Sequence, residues 1–394
     1  MENNERMTAP IAPVAADAGQ SINPLTANSI PQSVPDIKDE DPAMTEEEFD
    51  KLVMAEIEER ERNMMNPYFL PTISMTELYE RIYTGKTPII DGLLYRGTYL
   101  FAGAPKLGKS FLMLQLAYHV STGTPLWGFP VQQGDVLYLS LEDDHARLQA
   151  RLYRMFGTET SDHLLMSINA HSLSNGLLEQ LSRYLVNHPN TSLVIIDTLQ
   201  KVRELCGDTY NYANDYQLIA FLKQFADRYG ICLMLVHHTR KQHADDSFDM
   251  VSGTNGLTGA ADGTFILSKE KRTANTAVLE ITGRDQPDQK LHLLRNEERL
   301  CWDLERRETE LWKAPPDPLL EKIAQVIHPE HPEFSGSPTE LRDYLGVDMK
   351  PNALTQKLNV NAARLFNEYN IYYWNKRTHL GRRVGLCLKK QQPA

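Results

Sequence analysis

Short apolar runs alternate with amphipathic helical stretches through the middle of the chain. Four runs are continuously apolar, which is typical of parallel strands covered on both faces. They lie at residues 98–103, 136–141, 193–197 and 232–237. Helical patterns separate them at 109–121, 143–156, 174–187 and 212–229, and later runs at 264–268, 276–282 and 290–295 predict an antiparallel extension. The alternation predicts an α/β fold with a doubly wound, mostly parallel sheet.

The regions flanking this central domain, placed at 70–310, have different patterns. Residues 1–44 are rich in Pro, Ala, Asn, Ser and Asp without hydrophobic periodicity, which predicts a disordered N-terminal extension. Residues 45–69 predict an acidic helix and linker, because Thr45 and Glu48 have the spacing of a capping box. A proline-rich stretch at 311–318 predicts a second linker.

Residues 319–394 predict a small, separate basic domain. Helical patterns occur at 319–327, 337–345 and 353–368, and Ser337 followed by Pro338 favours the start of the second helix. Two strand patterns, 371–375 and 384–388, enclose a basic segment. Three helices followed by a basic hairpin indicate a winged-helix domain.

The net charge of −11 is concentrated in the first 65 residues. Residues 1–65 contain 15 acidic and 5 basic residues, whereas residues 318–394 contain 7 acidic and 11 basic ones. The overall acidity therefore does not exclude a nucleic-acid partner. No apolar run approaches the about 20 residues of a membrane-spanning helix. The four cysteines lie far apart in sequence, which is typical of reduced thiols and predicts a cytoplasmic protein without a membrane partner.

A complete phosphate-binding motif of the Walker A type follows the first apolar run. Its glycines let backbone N–H groups surround the phosphates, and the lysine reaches the β- and γ-phosphates. The predicted nucleotide-binding residues are Gly103, Ala104, Pro105, Lys106, Leu107, Gly108, Lys109, Ser110 and Phe111. The motif follows a strand and opens a helix, as the mechanism requires. It predicts ATP as ligand.

Two carboxylates complete the predicted site. Asp197 ends an apolar run, and with the Ser110 hydroxyl it predicts a Mg²⁺ site. Glu142 follows the strand after the P-loop helix, at the sheet edge where ligands bind in open α/β folds. We expect it to polarise the attacking water. The alternative is that Glu142 and Asp143 only cap the next helix, the role expected for Asp143 and Asp144.

The order of these motifs resembles the RecA/DnaB-type P-loop ATPases, and among them the plasmid RepA-type hexameric replicative helicases. The matching segments are GAPKLGKS, SLEDD, LVIIDT, VHHTRK, SGTNGLTGAADG and ITGRD, within about residues 85–304. The resemblance implies a RecA-like core, a homo-oligomeric ring such as a hexamer, and single-stranded DNA as partner.

The same resemblance implies roles for individual residues. Glu142 would be the catalytic glutamate and Arg284 an arginine finger that reaches a neighbouring subunit's ATP. Lys109 of the Walker A motif is a further predicted catalytic residue, because it reaches the β- and γ-phosphates. His237, more than His238, would sense the γ-phosphate. The alternatives are structural histidines at a strand end and a surface arginine in a salt bridge. Thr282 stands where relatives often carry a second basic residue, so a mechanism with two fingers is not expected.

Two groups of basic residues are candidate DNA contacts. Arg240 and Lys241 begin a polar, glycine-rich stretch that by resemblance lines a central channel. Lys376, Arg377, Arg382 and Arg383 cluster in the C-terminal hairpin and could follow a duplex phosphate backbone. A winged helix equally binds proteins.

Three functions remain open at this stage. The leading one is a DNA-dependent ATPase of replicative-helicase type. The second is a RecA-like ATPase without unwinding activity, acting in recombination, partition or regulation of a mobile element. The third is a P-loop kinase or signalling ATPase without a DNA partner, because a fold alone does not fix a function.

Overall fold

The chain divides into two compact units. The computed structural model describes residues 45–83, 86–203, 212–238, 255–269, 271, 274–284, 286–309 and 315–389. The predicted extension at 1–44 and residues 311–314 of the predicted linker lie outside these ranges. One unit comprises Gly85–Pro315, and the other comprises Met1–Thr84 together with Pro316–Ala394.

The elements follow the alternation expected from the sequence. Ahead of the central unit come α1 (Glu46–Met64) and α2 (Met75–Glu80). The central unit contains β1 (Pro88–Ile90), β2 (Leu94–Tyr95), β3 (Gly97–Gly103), α3 (Lys109–Thr122), β4 (Asp135–Ser140), α4 (His145–Phe156), β5 (Leu164–Ser167), α5 (Leu177–Asn187), β6 (Thr191–Asp197), α6 (Leu199–Val202), α7 (Tyr212–Tyr229), β7 (Cys232–His238), α8 (Asn255–Ala260), β8 (Gly263–Ser268), β9 (Thr276–Gly283), β10 (Gln289–Arg295) and β11 (Trp302–Thr309).

A mixed, mostly parallel sheet organises the central unit. Among the described residues its strand order is β11-β10-β9-β8-β3-β7-β6-β4-β5. Strand β3 lies between β7 and β8 and is parallel to both. The predicted α/β fold class, with a mostly parallel sheet, is confirmed. One detail differs, because β8 is parallel to β3 and the antiparallel extension begins only at β9.

Side chains of β3 alternate between two hydrophobic cores, one on each face of the sheet. Tyr99 and Phe101 pack in the core that includes α3, and Leu100 packs in the core that includes α5 and α7. All seven residues of β3 are buried. Burial on both faces explains why the strand is a continuous apolar run instead of an alternating one.

Five described strands were not expected from the sequence: β1 and β2, which pair with each other, and three strands at the ends of sheets. Strand β5 is a half-buried strand at one end of the large sheet. At the other end lies β11, whose sequence WDLERRET is mainly polar. The third, β12 (Glu333–Gly336), belongs to the other unit. Terminal strands contact a neighbour on one side only, so β11 and β12 carry little hydrophobic signal, whereas β5 is apolar but only four residues long.

The C-terminal part of the second unit combines helices with a small antiparallel sheet. Its further elements are α9 (Pro318–Val326), α10 (Pro338–Leu345), α11 (Pro351–Tyr369), β13 (Ile371–Thr378) and β14 (Gly381–Leu388), and the strand order is β12-β14-β13. Ser337 is the N-cap of α10 and Pro338 its first residue, as the sequence predicts, and Glu340 completes a capping box that was not predicted. Strands β13 and β14 are longer than expected, so the basic residues lie within the strands. The winged-helix assignment stays a prediction.

Helix α2 packs in this same unit. The Asn359 side chain donates hydrogen bonds to the carbonyl oxygens of Tyr79 (2.9 Å) and Glu80 (3.0 Å) at the end of α2. Arg382 forms an ion pair with Glu80 at 3.2 Å, and Ile82 packs against the hydrophobic core of the unit. The sequence assigned residues 70–84 to the central domain, whereas in the structure residues 75–83 pack with the C-terminal elements.

We expect Asn359→Ala to destabilise this unit by about 1–3 kcal/mol, because Asn359 is only 1% exposed and two carbonyl groups would lose their donor. Urea denaturation of the full chain, followed by a probe in the C-terminal unit, measures the effect. Asn352→Ala is the matched control, since Asn352 is an exposed residue of the same helix. Equal destabilisation by both variants would contradict the docking of α2 on Asn359.

Candidate active site

The phosphate-binding motif lies between the carboxyl end of β3 and the first turn of α3. Gly108, the N-cap of α3, has φ +96°, and Lys106 has φ +65°. A Cβ atom on Gly103 would lie 2.7 Å from the carbonyl oxygen of Leu267, so only glycine fits there. Left-handed backbone at the start of a helix turns N–H groups towards a common point, which is the geometry of a phosphate cradle.

Lys109 is buried against this loop. Its Nζ donates hydrogen bonds to the carbonyl oxygens of Gly103 (2.8 Å) and Ala104 (3.1 Å), and it lies 3.0 Å from His238 Nδ1. Burial lowers the pKa of Lys109 to about 8, and the negative charges of Asp197 and Glu142 oppose that shift. The ammonium group is therefore near both carboxylates of the predicted site.

Asp197 ends β6, beside the end of β4, and is 5% exposed. The Tyr138 hydroxyl donates to its Oδ2 at 2.7 Å, and the Ser110 side chain also hydrogen-bonds to the carboxylate. Burial raises the pKa of Asp197, and nearby Glu142 raises it further. A buried carboxylate that faces the P-loop hydroxyl and has a second carboxylate nearby fits a divalent cation. Mg²⁺ bound to phosphates needs only one or two protein ligands.

Metal sites built from protein side chains alone have a different signature. Within the described ranges, no group of three or more His, Cys, Asp or Glu residues could hold a metal ion.

Glu142 follows β4 on the same edge of the sheet. Thr198 Oγ1 donates a hydrogen bond to Glu142 Oε1 at 3.2 Å. Helix α4 begins only at His145, and Asp144 is its N-cap. The alternative that Glu142 caps this helix is therefore wrong, while the capping role expected for Asp144 is confirmed. The capping role expected for Asp143 is wrong, because its carboxylate instead binds Arg151 at 2.8 Å.

The two histidines at the end of β7 have different surroundings. His238 contacts the Lys109 ammonium, and burial followed by the Lys109 charge lowers the pKa of His238. Its Nδ1 accepts the hydrogen bond, because an ammonium group can only donate. His237 is buried, at 5% exposed. The sequence favoured His237 as the phosphate sensor, but His238 is the histidine in contact with the P-loop lysine.

Two residues of the antiparallel extension contact the P-loop and were missed in the sequence. A Cβ atom on Gly108 would lie 3.3 Å from the Trp302 ring and 3.4 Å from an Arg295 nitrogen. The Trp302 backbone is fixed to α3, because Gln115 Nε2 donates to its carbonyl at 2.9 Å and its N–H donates to Gln115 Oε1 at 2.8 Å. The Arg295 guanidinium lies 4.9 Å from the Phe111 ring centre. No sequence motif marks these contacts.

Arg284 does not lie near the P-loop of its own chain. Its backbone N–H donates to the carbonyl of Asp262, and its Nη2 donates to the carbonyl of Gly259 at 2.8 Å, in an exposed position. This contact is to a backbone carbonyl, whereas the alternative interpretation expected a surface salt bridge.

The predicted DNA contacts fall into two groups. Arg240 and Lys241 lie outside the described residues. The other four form two directly opposed pairs of like charge in the C-terminal hairpin, Lys376 with Arg383 and Arg377 with Arg382. Arg382 is additionally paired with Glu80.

Taken together, the mostly parallel sheet, the phosphate cradle and the buried Asp197 define a P-loop ATPase. Residues 78–244 match the family model described as an AAA domain. The chain is therefore an ATP-hydrolysing P-loop enzyme, while membership of the RecA/DnaB superfamily stays a prediction. The narrower resemblance to plasmid RepA-type helicases stays a prediction.

Two solved structures are each similar to about two thirds of the chain. One is an isolated ATPase domain, 17% identical with a TM-score of 0.45, and the match covers 65% of this chain and 98% of that one. The other is a DnaB-like replicative helicase, solved in a study of its interactions with primase. It is 15% identical with a TM-score of 0.46, covering 64% of this chain and 71% of that one. A search of the curated proteins found no match.

A membrane-spanning segment was not expected from the sequence. None of the described helices is long and apolar enough to cross a membrane.

We expect Gly108→Ala to weaken ATP binding at least tenfold, which corresponds to about 1.4 kcal/mol. The added methyl would meet Trp302 and Arg295 in the phosphate cradle. Gly128→Ala is the matched control, because Gly128 also has a left-handed φ (+83°) but nothing lies within 4 Å of its Cβ position among the described residues. Equilibrium binding of a fluorescent ATP analogue measures both. An equal loss of affinity in the two variants would contradict the steric explanation.

Proposed function

We propose that this protein is a DNA-dependent ATPase of replicative-helicase type, which hydrolyses ATP at subunit interfaces and moves along single-stranded DNA. The observation that carries this proposal is the position of Arg284 relative to the P-loop. The antiparallel pairing of β8 and β9 puts Gly283 opposite Gly263, next to Arg284. In the parallel pairing with β3, Gly263 lies level with Tyr99, whereas Leu267 lies level with Gly103.

Arg284 is consequently at the opposite edge of the sheet from the phosphate cradle. The level of Tyr99 and the level of Gly103 are four residues apart in β3. At about 3.3 Å per residue, this separation is roughly 13 Å along the strands. An arginine there is unsuited to its own subunit's nucleotide. It is exposed, and its guanidinium contacts the Gly259 carbonyl oxygen. A planar guanidinium in such a position suits the γ-phosphate of an adjoining subunit.

Hydrolysis requires an attacking water and a group to accept its proton. The water oxygen forms a bond to the γ-phosphorus, the bond from that phosphorus to the bridging oxygen breaks, and ADP leaves. We assign the water's proton to the Glu142 carboxylate, which the Thr198 hydroxyl orients. Lys109 binds the β- and γ-phosphates, and Ser110 and Asp197 would hold Mg²⁺, which neutralises charge on the phosphate oxygens when bound.

His238 is our candidate for the residue that senses whether the γ-phosphate is present. Lys109 Nζ is shared between P-loop carbonyls and His238 Nδ1. When the ammonium turns to the phosphates, His238 exchanges its partner, and β7 leads directly into the segment with Arg240 and Lys241. We therefore assign the sensing role to His238, while the role of His237 stays a prediction.

The C-terminal hairpin supports a DNA partner. Like charges directly opposite each other destabilise an antiparallel pair. The hairpin contains two such pairs in succession, Lys376 with Arg383 and Arg377 with Arg382. A phosphate backbone would relieve that repulsion. The same observation favours a second candidate function, an ATPase anchored to duplex DNA that does not unwind it.

Two inactive variants should restore activity when mixed, if subunits share the site. Lys109→Ala lacks a working nucleotide pocket but retains Arg284, and Arg284→Ala lacks the finger but retains the pocket. We expect each alone to have less than about 1% of wild-type ATPase, because an arginine finger contributes about 10³–10⁵-fold to the rate. The mixed assembly should recover activity at interfaces that pair one of each.

The control is each variant mixed with itself at the same total concentration, with the mass in solution measured in ATP. Full activity of Arg284→Ala as a dilute monomer would contradict the shared site. It would favour a signalling ATPase or kinase instead.

Glu142→Gln should lower the turnover rate about 10²–10⁴-fold, the contribution of a general base, with little change in ATP affinity. The amide oxygen can still accept the Thr198 hydrogen bond but cannot take the proton. ATP hydrolysis with and without single-stranded DNA measures the effect, and Asp144→Asn, at the helix cap next to it, is the control. No stimulation of the wild type by single-stranded DNA would contradict the helicase proposal. Stimulation without strand separation would favour the duplex-anchored ATPase.

A further inference from the structure

Asp262 lies in the turn between α8 and β8, far along the chain from the P-loop motif, and its side chain is 3% exposed. Lys86 Nζ donates to its Oδ1 at 2.9 Å, and Lys223 Nζ binds the same oxygen. The Thr98 backbone N–H donates to Oδ2 at 2.9 Å. A buried carboxylate with these three donors is rigidly held.

The backbone of the same residue holds Arg284. The Asp262 N–H donates to the carbonyl of Thr98 at 2.8 Å, and the Asp262 carbonyl accepts from the Arg284 N–H at 2.8 Å. The Arg284 side chain in turn reaches the Gly259 carbonyl, three residues before Asp262. The turn from Gly259 to Asp262 thus contacts both the backbone and the guanidinium of Arg284.

We propose that Asp262 is a positioning residue for Arg284, because its buried carboxylate fixes the turn from which that arginine extends to a neighbouring copy of the chain. The inference rests on the proposed function, since Arg284 needs a fixed direction only if it completes another subunit's site. It assigns a role to Lys86 and Lys223 as well, because they hold the carboxylate.

The effect of removing the charge follows from the same contacts. In Asp262→Asn, the neutral amide can no longer compensate two ammonium groups, and Lys86 and Lys223 repel each other across it. The turn then shifts to separate them. A displacement of about 1 Å in a group that contacts the transition state can cost about 100-fold in rate.

The decisive experiment adds Asp262→Asn to one member of the mixture of Lys109→Ala and Arg284→Ala chains. In the first arrangement it is placed in the Lys109→Ala chain, which supplies Arg284. In the second it is placed in the Arg284→Ala chain, which supplies the pocket. We expect the recovered ATPase to fall at least tenfold in the first arrangement and to change less than twofold in the second.

The difference between the two arrangements distinguishes a positioning role of Asp262 from a general structural role. Asp262 also binds Thr98 at the start of the P-loop strand, so a purely structural role would damage the pocket of its own chain. Equal losses in both arrangements, or no loss in either, would overturn the inference. An inactive starting mixture contradicts the shared site itself, and the positioning role falls with it.

Two further variants make the test independent of whether Asp262→Asn folds. Lys86→Gln removes one of the two cations from a side chain that is 31% exposed, and we expect a smaller loss, again only in the chain that supplies Arg284. Asp227→Asn is the matched control. Its carboxylate lies 3.7 Å from the same Lys223 but is half exposed. Recovery in the control should equal that of the starting mixture, and a loss equal to that of Asp262→Asn would contradict the assignment.

Discussion

The pairing of β3 with β7 on one side and β8 on the other is the constraint on which the site depends. It places Gly103 level with both His238 and Leu267. The Leu267 carbonyl comes so close that no side chain fits on Gly103, and the chain must turn there into the phosphate cradle. Because the neighbouring strands are also parallel, their carboxyl ends lie at the same edge of the sheet. Asp197 at the end of β6 and Glu142 after β4 therefore lie at that edge as well.

The buried charges of the central unit are of two kinds. Burial lowers the pKa of Lys109 and raises the pKa of Asp197, so it favours the neutral form of both side chains. The neighbouring groups offset this effect of burial only in part. A triphosphate and a divalent cation would supply the missing opposite charges, which is the signature of a ligand site. At Asp262, burial also raises the pKa, but hydrogen bonds from Lys223 and Lys86 outweigh it and leave the pKa below its usual value. That charge is already compensated, as a structural anchor should be.

The other unit is assembled from both ends of the chain. Asn359 provides donors for the last carbonyl groups of α2, which have no partner within a helix. Glu80 neutralises one of the arginines in the hairpin. Residues 75–83 therefore influence both the stability of this unit and the charge that its hairpin offers to a partner.

The sequence by itself determined the parts that depend on local chemistry. The phosphate motif, the capping box at Thr45, the helix start at Ser337 and the strands buried on both faces could all be identified, because each needs particular residues at fixed, short spacings. Asp197 and Glu142 could be proposed as site residues because acidic residues at strand ends stand out against apolar runs.

Only the tertiary structure decided which residues meet across the sheet. His237 and His238 are adjacent in sequence, but successive side chains of a strand point to opposite faces, and the register with β3 brings His238 to Lys109. No motif surrounds Trp302 or Asp262 in the sequence. Trp302 contacts Gln115, which is 187 positions away, and Asp262 contacts Thr98, which is 164 positions away. Spacing in sequence carries no information about such pairs, because the folding of the whole sheet sets their distance.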